Sequence, residues 1–150
     1  MLPTKEHLLS KSMELVQERI DALEKELKNL NDAAASDTKS SMGDKYETSR
    51  EMINLEKAKL SEQLKLAQMM RSGLANIDAK RVHQTATLGA VVSTDSGHYF
   101  LSVALGQFEV AGQTVFAISM TSPLAQQMMK KCKGDSFHLA GRNHRILDIF

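Results

Sequence analysis

Three carboxylates, Asp37, Asp44 and Glu47, lie close together in a polar stretch, residues 32–47, that we call the tip segment. Carboxylate oxygens are the hard ligands that Mg²⁺ prefers, and several of them at one turn can share a divalent cation. Small polar residues equally suit a turn between helices, because Ser, Thr, Asp and Gly satisfy the free backbone groups of helix ends. The spacing therefore allows a Mg²⁺ site, with a plain helix-to-helix turn as the alternative.

Apolar residues on both sides of the tip segment repeat at the spacing of paired helices. Thr4 is a suitable N-cap for the first helix, which we expect to run from Thr4 to about Ala35. The seam residues are Leu9, Met13, Val16, Ile20, Leu23, Leu27 and Leu30 in the first helix and Tyr46, Ile53, Leu60, Ala67 and Leu74 in the second. Residues 1–79 are thus predicted to form a long antiparallel helical hairpin, a coiled coil, with the acidic tip segment at its far end.

From about residue 80 the sequence changes to the alternating pattern of β-strands. Runs of β-branched and aromatic residues are separated by turn signals, which predicts about five strands in a small, bent, antiparallel sheet. The predicted strands are residues 88–92, 99–105, 114–119, 135–140 and 144–149. Ser122 and Pro123 suit the start of one short helix, which we expect to end before Gly134. The fold class is therefore α+β, with residues 80–150 as a β-rich module.

Composition narrows the classes of function. The 150 residues carry a net charge of +1 and a single cysteine, Cys132, for which we expect a buried or inert thiol in a reducing compartment. The chain opens without a leader-like segment, and its apolar runs are too short for a membrane span, so a soluble, cytoplasmic protein without membrane partners is predicted. We expect the paired methionines to fill core space, at Met69, Met70, Met128 and Met129. There is no phosphate loop, nucleophile elbow or zinc spacing in the sequence.

The second half carries motifs that resemble the bacterial Gre-type transcript cleavage factors. They are Ser122-Pro-Leu-Ala125 at the start of the short helix, Lys133-Gly-Asp135, and the closing segment Arg145-Ile-Leu-Asp-Ile149. In that family, too, a hairpin with an acidic tip precedes the β-rich module. The resemblance implies an FKBP-like fold for residues 80–150 and binding to RNA polymerase at the rim of its secondary channel, with Ser122 and Pro123 in the polymerase-binding part.

The resemblance also implies a role for the tip segment. The hairpin would enter the polymerase channel, where Asp37 and Asp44 hold the second catalytic Mg²⁺ and Glu47 supports them, so that polymerase cleaves its backtracked transcript. The basic residues Lys39, Lys45 and Arg50 would contact RNA phosphates near the transcript 3′ end. The chain would then be an accessory factor and not itself an enzyme, with no cofactor of its own and with Mg²⁺ shared with RNA polymerase.

One departure from the family pattern leaves alternatives open. Ser40 stands where the family has a Glu, and Asp44 replaces that carboxylate only if the longer turn folds back. The close variant is a polymerase-binding regulator or inhibitor that does not stimulate cleavage. From other classes come a plain coiled-coil interaction protein and a prolyl isomerase, although an isomerase site needs several aromatic residues. A hairpin whose helices pair with each other predicts a monomer.

Overall fold

A computed structural model describes the backbone of residues 2–40 and 44–150 and the side chains of residues 2–35 and 47–150. Two long helices come first, and a β-rich part with one short helix follows. The elements are α1 (Lys5–Ser40), α2 (Asp44–Ala75), β1 (Val91–Thr94), β2 (Gly97–Ser102), β3 (Gly106–Val110), β4 (Gln113–Ser119), α3 (Pro123–Met128), β5 (Ser136–Leu139) and β6 (Arg142–Ile149). Across the described ranges, none of the helices combines the length and the apolar character that a membrane span requires. The predicted α+β class, with a helical hairpin before a β-rich module, is confirmed.

The chain divides into two compact units, which we describe separately. Unit 1 combines Met1–Glu14 with Met70–Phe150, and unit 2 is Leu15–Met69. Both long helices therefore contribute residues to both units.

Unit 2 consists of the paired stretches of α1 and α2. Val16, Ile20 and Leu23 of α1 are buried, as are Leu60 and Ala67 of α2, so the predicted seam is confirmed along this stretch. Leu27, Leu30 and Ile53 are half-buried, and the side chain of Tyr46 lies outside the described residues. The predicted end of α1 near Ala35 is wrong, because the helix continues to Ser40. Three consecutive alanines, the best helix formers, carry it through the start of the tip segment.

In unit 1, the buried face of α1 is offset from the predicted one. Leu8 and Ser12 are fully buried, whereas the predicted seam residues Leu9 and Met13 are only half-buried. The Ser12 hydroxyl donates a hydrogen bond of 2.7 Å to the Leu8 carbonyl, which lets a polar residue occupy a buried position. At the start of the helix, Thr4 Oγ1 accepts a hydrogen bond of 3.3 Å from the His7 amide, as expected of an N-cap.

The sheet of unit 1 has six strands in the order β3-β4-β2-β1-β6-β5. Neighbouring strands are antiparallel except β2 and β4, which pair in parallel, so the prediction of a five-stranded antiparallel sheet is wrong in both respects. The additional strand, β3, lies at the edge and buries only Phe108. Its residues carry too little alternation to be recognised as a strand from sequence.

The core of unit 1 lies around β1, all of whose residues are buried, so both faces of the sheet are covered there. Ala125 and Met128 of α3 are fully buried in a cluster with Val92, Leu101 and Ile146. The helix ends at Met128, earlier than the predicted end just before Gly134. The core role predicted for Met128 is confirmed. That predicted for Met69 is wrong, because its side chain is exposed.

Candidate functional site

The predicted site residues of the tip segment lie at the facing ends of the two long helices. Asp37 and Lys39 belong to the last turns of α1, while Asp44 and Lys45 begin α2. The side chains of these four lie outside the described residues, so the proposed Asp37 and Asp44 pair and the contacts of Lys39 and Lys45 stay predictions.

Glu47 and Arg50 are the two predicted site residues of the tip segment and its flank whose side chains are described. Both are exposed, and both belong to the first two turns of α2. Residues three apart are neighbours on a helix surface, so an acidic and a basic side chain stand side by side here. Such a pair is able to contact both a hydrated cation and a phosphate group.

Elsewhere the structure offers no alternative metal centre within its described part. Among residues 2–35 and 47–150 there is no group of three or more His, Cys, Asp or Glu side chains able to hold a metal ion. The candidate Mg²⁺ ligands thus remain those of the tip segment.

Ser122 and Pro123 form the start of α3, as the sequence predicts. The Ser122 hydroxyl accepts a hydrogen bond of 3.2 Å from the Ala125 amide, and the Ser122 carbonyl accepts one of 3.0 Å from the Gln126 amide. Pro123 occupies the first turn and is exposed. Because the Ser122 side chain serves the helix, Pro123 is the better placed of the two for contact with a partner.

The Lys-Gly-Asp motif forms a tight turn before β5. The Asp135 carboxylate accepts a hydrogen bond of 2.7 Å from the Cys132 amide, and the Asp135 amide donates one of 3.0 Å back to the Cys132 carbonyl. Gly134 has a φ of +92°, a conformation that side chains disfavour. Its amide and the Asp135 carbonyl both bond to Ile146, which ties the turn to β6. The Cys132 side chain is exposed, so of the expected buried or inert thiol the buried alternative is wrong, and the inert one stays a prediction.

Basic residues surround this turn. Lys130, Lys133, Arg142 and Arg145 are exposed. The Lys133 ammonium lies 4.0 Å from the Asp148 carboxylate, with both side chains more than half exposed. Such a pair contributes little to stability, so the lysine is available to an acidic partner.

A cluster that the sequence-based predictions missed lies at the start of α1. Lys5 is buried, and its ammonium donates hydrogen bonds to the Arg81 carbonyl and, over 2.8 Å, to His83 Nδ1. Burial lowers the pKa of Lys5, with the Asp78 carboxylate opposing this and the Arg81 guanidinium adding to it. Burial also lowers the pKa of His83, and the nearby Lys5 and Arg81 charges act in the same direction. The lowered pKa favours the neutral imidazole, whose Nδ1 accepts the hydrogen bond from the Lys5 ammonium.

Spacing could have revealed Lys5. It precedes Leu8 by three residues and Ser12 by seven, so it falls on the buried face of the helix. A search for apolar repeats passes over a charged residue such as Lys5. Its ammonium can be buried because a backbone carbonyl and an imidazole nitrogen accept its hydrogen bonds.

Beside Lys5 an open groove of about 470 Å³ crosses unit 1. Pro3, Arg81, Val82, Asp148 and Phe150 are among its lining residues, and Phe150 is the one aromatic side chain in the lining. A prolyl isomerase site is a largely apolar pocket with several aromatic walls. This groove does not have that composition.

Comparison with solved structures finds chains similar to this one. No protein-family model matches the chain, and no curated protein matches it. The chain is similar to a structure of the transcription factor Gfh1, with a TM-score of 0.39 and 19% sequence identity over 92% of each chain. It is also similar to GreA factor homolog 1 (Gfh1) of Thermus thermophilus, with a TM-score of 0.32 and 20% identity over 98% of this chain and 94% of that one. Each likeness spans nearly the whole chain, at about one identical residue in five.

Proposed function

We propose that this chain is a Gre-like transcription elongation factor that binds bacterial RNA polymerase. Two features support the proposal. The chain has a helical hairpin, and the residues of the family-like motifs form the helix start, turn and strand that the resemblance implies. Ser122 caps α3, Asp135 closes the turn before β5, and Arg145 to Ile149 lie in β6. A factor of this kind works in the cytoplasm.

The observation that carries the proposal is the exposed surface around α3 and the Asp135 turn. Pro123 and Lys133 face solvent while the backbone beneath them is fixed by hydrogen bonds to neighbouring elements. A surface held in one conformation loses little entropy on binding. Its basic residues suit contact with an acidic surface. We propose that this acidic surface is the rim of the polymerase secondary channel.

For the tip segment we propose assistance to transcript cleavage inside polymerase. Mg²⁺ in two-metal sites activates water and stabilises the charge that develops on phosphate. Asp37 and Asp44 would hold the ion shared with polymerase, with Glu47 in support and with Lys39, Lys45 and Arg50 toward the RNA phosphates at the 3′ end. The chain itself would hydrolyse nothing.

Ser40 favours a second candidate function. It stands where the resemblance calls for a Glu, which leaves one carboxylate fewer in the tip segment. If Asp44 does not compensate, the protein would occupy the polymerase channel without promoting cleavage, as a regulator or inhibitor.

The test joins a binding assay to a cleavage assay. The protein is mixed with RNA polymerase and with a backtracked elongation complex, and both complex formation and transcript shortening are followed. We expect Asp37→Asn and Asp44→Asn to lower the cleavage rate by about 100-fold, the scale for removing one transition-state stabilising group, without loss of binding. Asp32→Asn, at an exposed position of α1, is the matched control.

Each outcome separates the candidates. Binding with cleavage that falls in both variants supports the cleavage factor. Binding without any stimulation of cleavage by the unmodified chain identifies the regulator. No binding to polymerase in any assay contradicts the proposed function as a whole.

A further inference from the structure

The outer face of α2 carries a second row of apolar residues that none of the described side chains of unit 2 covers. Met52, Leu55, Leu66 and Met69 are exposed by 66%, 72%, 52% and 61%. Large apolar side chains are exposed singly on most proteins, but four in one row on one helix indicate an interaction surface.

The spacing of this row is that of a coiled-coil seam. With Lys59 and Glu62 included, the intervals along the helix are three, four, three, four and three residues. A helix turns by about 100° per residue, so positions separated by alternating three and four residues form one stripe. The stripe is distinct from the buried row of Leu60 and Ala67, which packs in the hairpin. We call these six residues, Met52, Leu55, Lys59, Glu62, Leu66 and Met69, the outer seam.

The outer seam reads almost the same in both directions. From either end it runs methionine, leucine, a charged residue, a charged residue, leucine and methionine, with Lys59 on one side of the centre and Glu62 on the other. If a second copy is laid alongside in the opposite direction, Met52 faces Met69 and Leu55 faces Leu66 of the other copy. Lys59 then faces Glu62 of the second copy, twice over. The seam is therefore complementary to itself in shape and in charge.

We propose that two copies of this chain associate through their outer seams as an antiparallel, two-fold symmetric pair. In a two-fold interface the same surface is used by both subunits, and each contact occurs twice, as it does here. Opposite charges at central seam positions select the direction and register of pairing. Lys59 and Glu62 are exposed, and neither forms an ion pair with a residue of the described ranges. The seam extends about 26 Å, which predicts weak, concentration-dependent association. This inference does not depend on the polymerase partner.

The test uses charge exchange in the full-length chain, with sedimentation velocity over a range of protein concentrations. Lys59→Glu places a carboxylate opposite Glu62 of the second copy, and Glu62→Lys places an ammonium opposite Lys59. We expect either variant alone to raise the dimer dissociation constant by at least about tenfold. An equimolar mixture of the two should associate at least as well as the unmodified chain, because both charge pairs are restored. Lys25→Glu, the same charge change at an exposed site of α1, should have no effect.

Direction is tested by disulfide formation in a Cys132→Ser background. Met52→Cys and Met69→Cys chains should cross-link to each other when mixed, and neither should cross-link to itself. Self-linking of the Met52→Cys chain would mean parallel pairing and would overturn the proposal.

Three further results would overturn it. The first is a chain that stays monomeric at every concentration, and the second is a dimer that Lys59→Glu leaves intact. The third is a monomer in which Lys59→Glu weakens binding to RNA polymerase, which would assign the outer seam to polymerase. Circular dichroism at low concentration checks that each variant keeps its helix content, so that a lost dimer reports on the seam and not on unfolding.

Discussion

Replacing Ser122 by Ala tests whether the cap of α3 holds this corner of unit 1 together. The substitution removes the hydroxyl that accepts the 3.2 Å hydrogen bond from the Ala125 amide. Loss of an N-cap costs typically about 1 kcal/mol. The bond is near the long end of the normal range, so we expect about 1 kcal/mol and not the upper end of the observed scale. That figure corresponds to about a fivefold change in a local opening equilibrium.

The effect should be local, because Ala125 is fully buried and stays in place through the core around it. Hydrogen exchange measured by NMR is the suitable assay, since the Ala125 amide is the donor that loses its partner. We expect its protection to fall about fivefold in Ser122→Ala and to be retained in Ser122→Asp, because aspartate is an equally good cap. Unchanged protection of Ala125 in Ser122→Ala would refute the assignment of Ser122 as the cap that stabilises this helix.

Three further predictions concern stability. The pKa of His83 is lowered in the folded chain, so the unfolded chain binds a proton first as the pH falls below about 6.5, and the free energy of unfolding should decrease there. In urea titrations at several pH values, His83→Asn should flatten this pH dependence. The control His138→Asn, at an exposed position, should not. Ala140 has a φ of +52° in the turn between β5 and β6, so Ala140→Asn should raise the free energy of unfolding by about 0.5–1 kcal/mol, and a loss of stability would contradict the turn geometry. Leu60→Ala should lower the free energy of unfolding by about 2–5 kcal/mol, measured by thermal unfolding, because Leu60 is buried. Leu55→Ala, at a concentration that keeps the chain monomeric, should change it by no more than about 0.5 kcal/mol. Equal losses in the two variants would contradict the assignment of Leu60 to the buried seam.

The helices of unit 2 were predictable because their stabilising contacts are repetitive and local. Val16, Ile20 and Leu60 repeat at helical spacing, and that period alone identifies the buried face. The N-cap at Thr4 and the Ser122-Pro123 start of α3 were predictable for the same reason, since each depends on residues within one turn.

Features that depend on distant partners were not predictable. Lys5 is buried with its ammonium satisfied by the Arg81 carbonyl and by His83 Nδ1, which lie 76 and 78 residues away in the chain. The edge strand β3 buries a single aromatic, Phe108, and the parallel pair joins β2 to β4, which are not consecutive in the chain.

The candidate site was identified partly from chemistry and partly from family resemblance. Carboxylates grouped in a polar turn indicate a cation site by residue type alone, whereas the roles of Ser122 and Pro123 followed from the resemblance. The Lys5 and His83 pair was missed because nothing in the sequence links residues so far apart.

The composition of unit 1 has a consequence for biosynthesis. Its first fourteen residues leave the ribosome early, whereas the rest of unit 1, Met70–Phe150, is made last. The nascent chain can pair the two stretches of unit 2 well before that, so we expect the helices of unit 2 to pair first and unit 1, with its sheet, to be completed last. A shortened product that starts at residue 80 would lack Leu8 and Leu74, both fully buried, and would present the uncovered surface to chaperones and proteases.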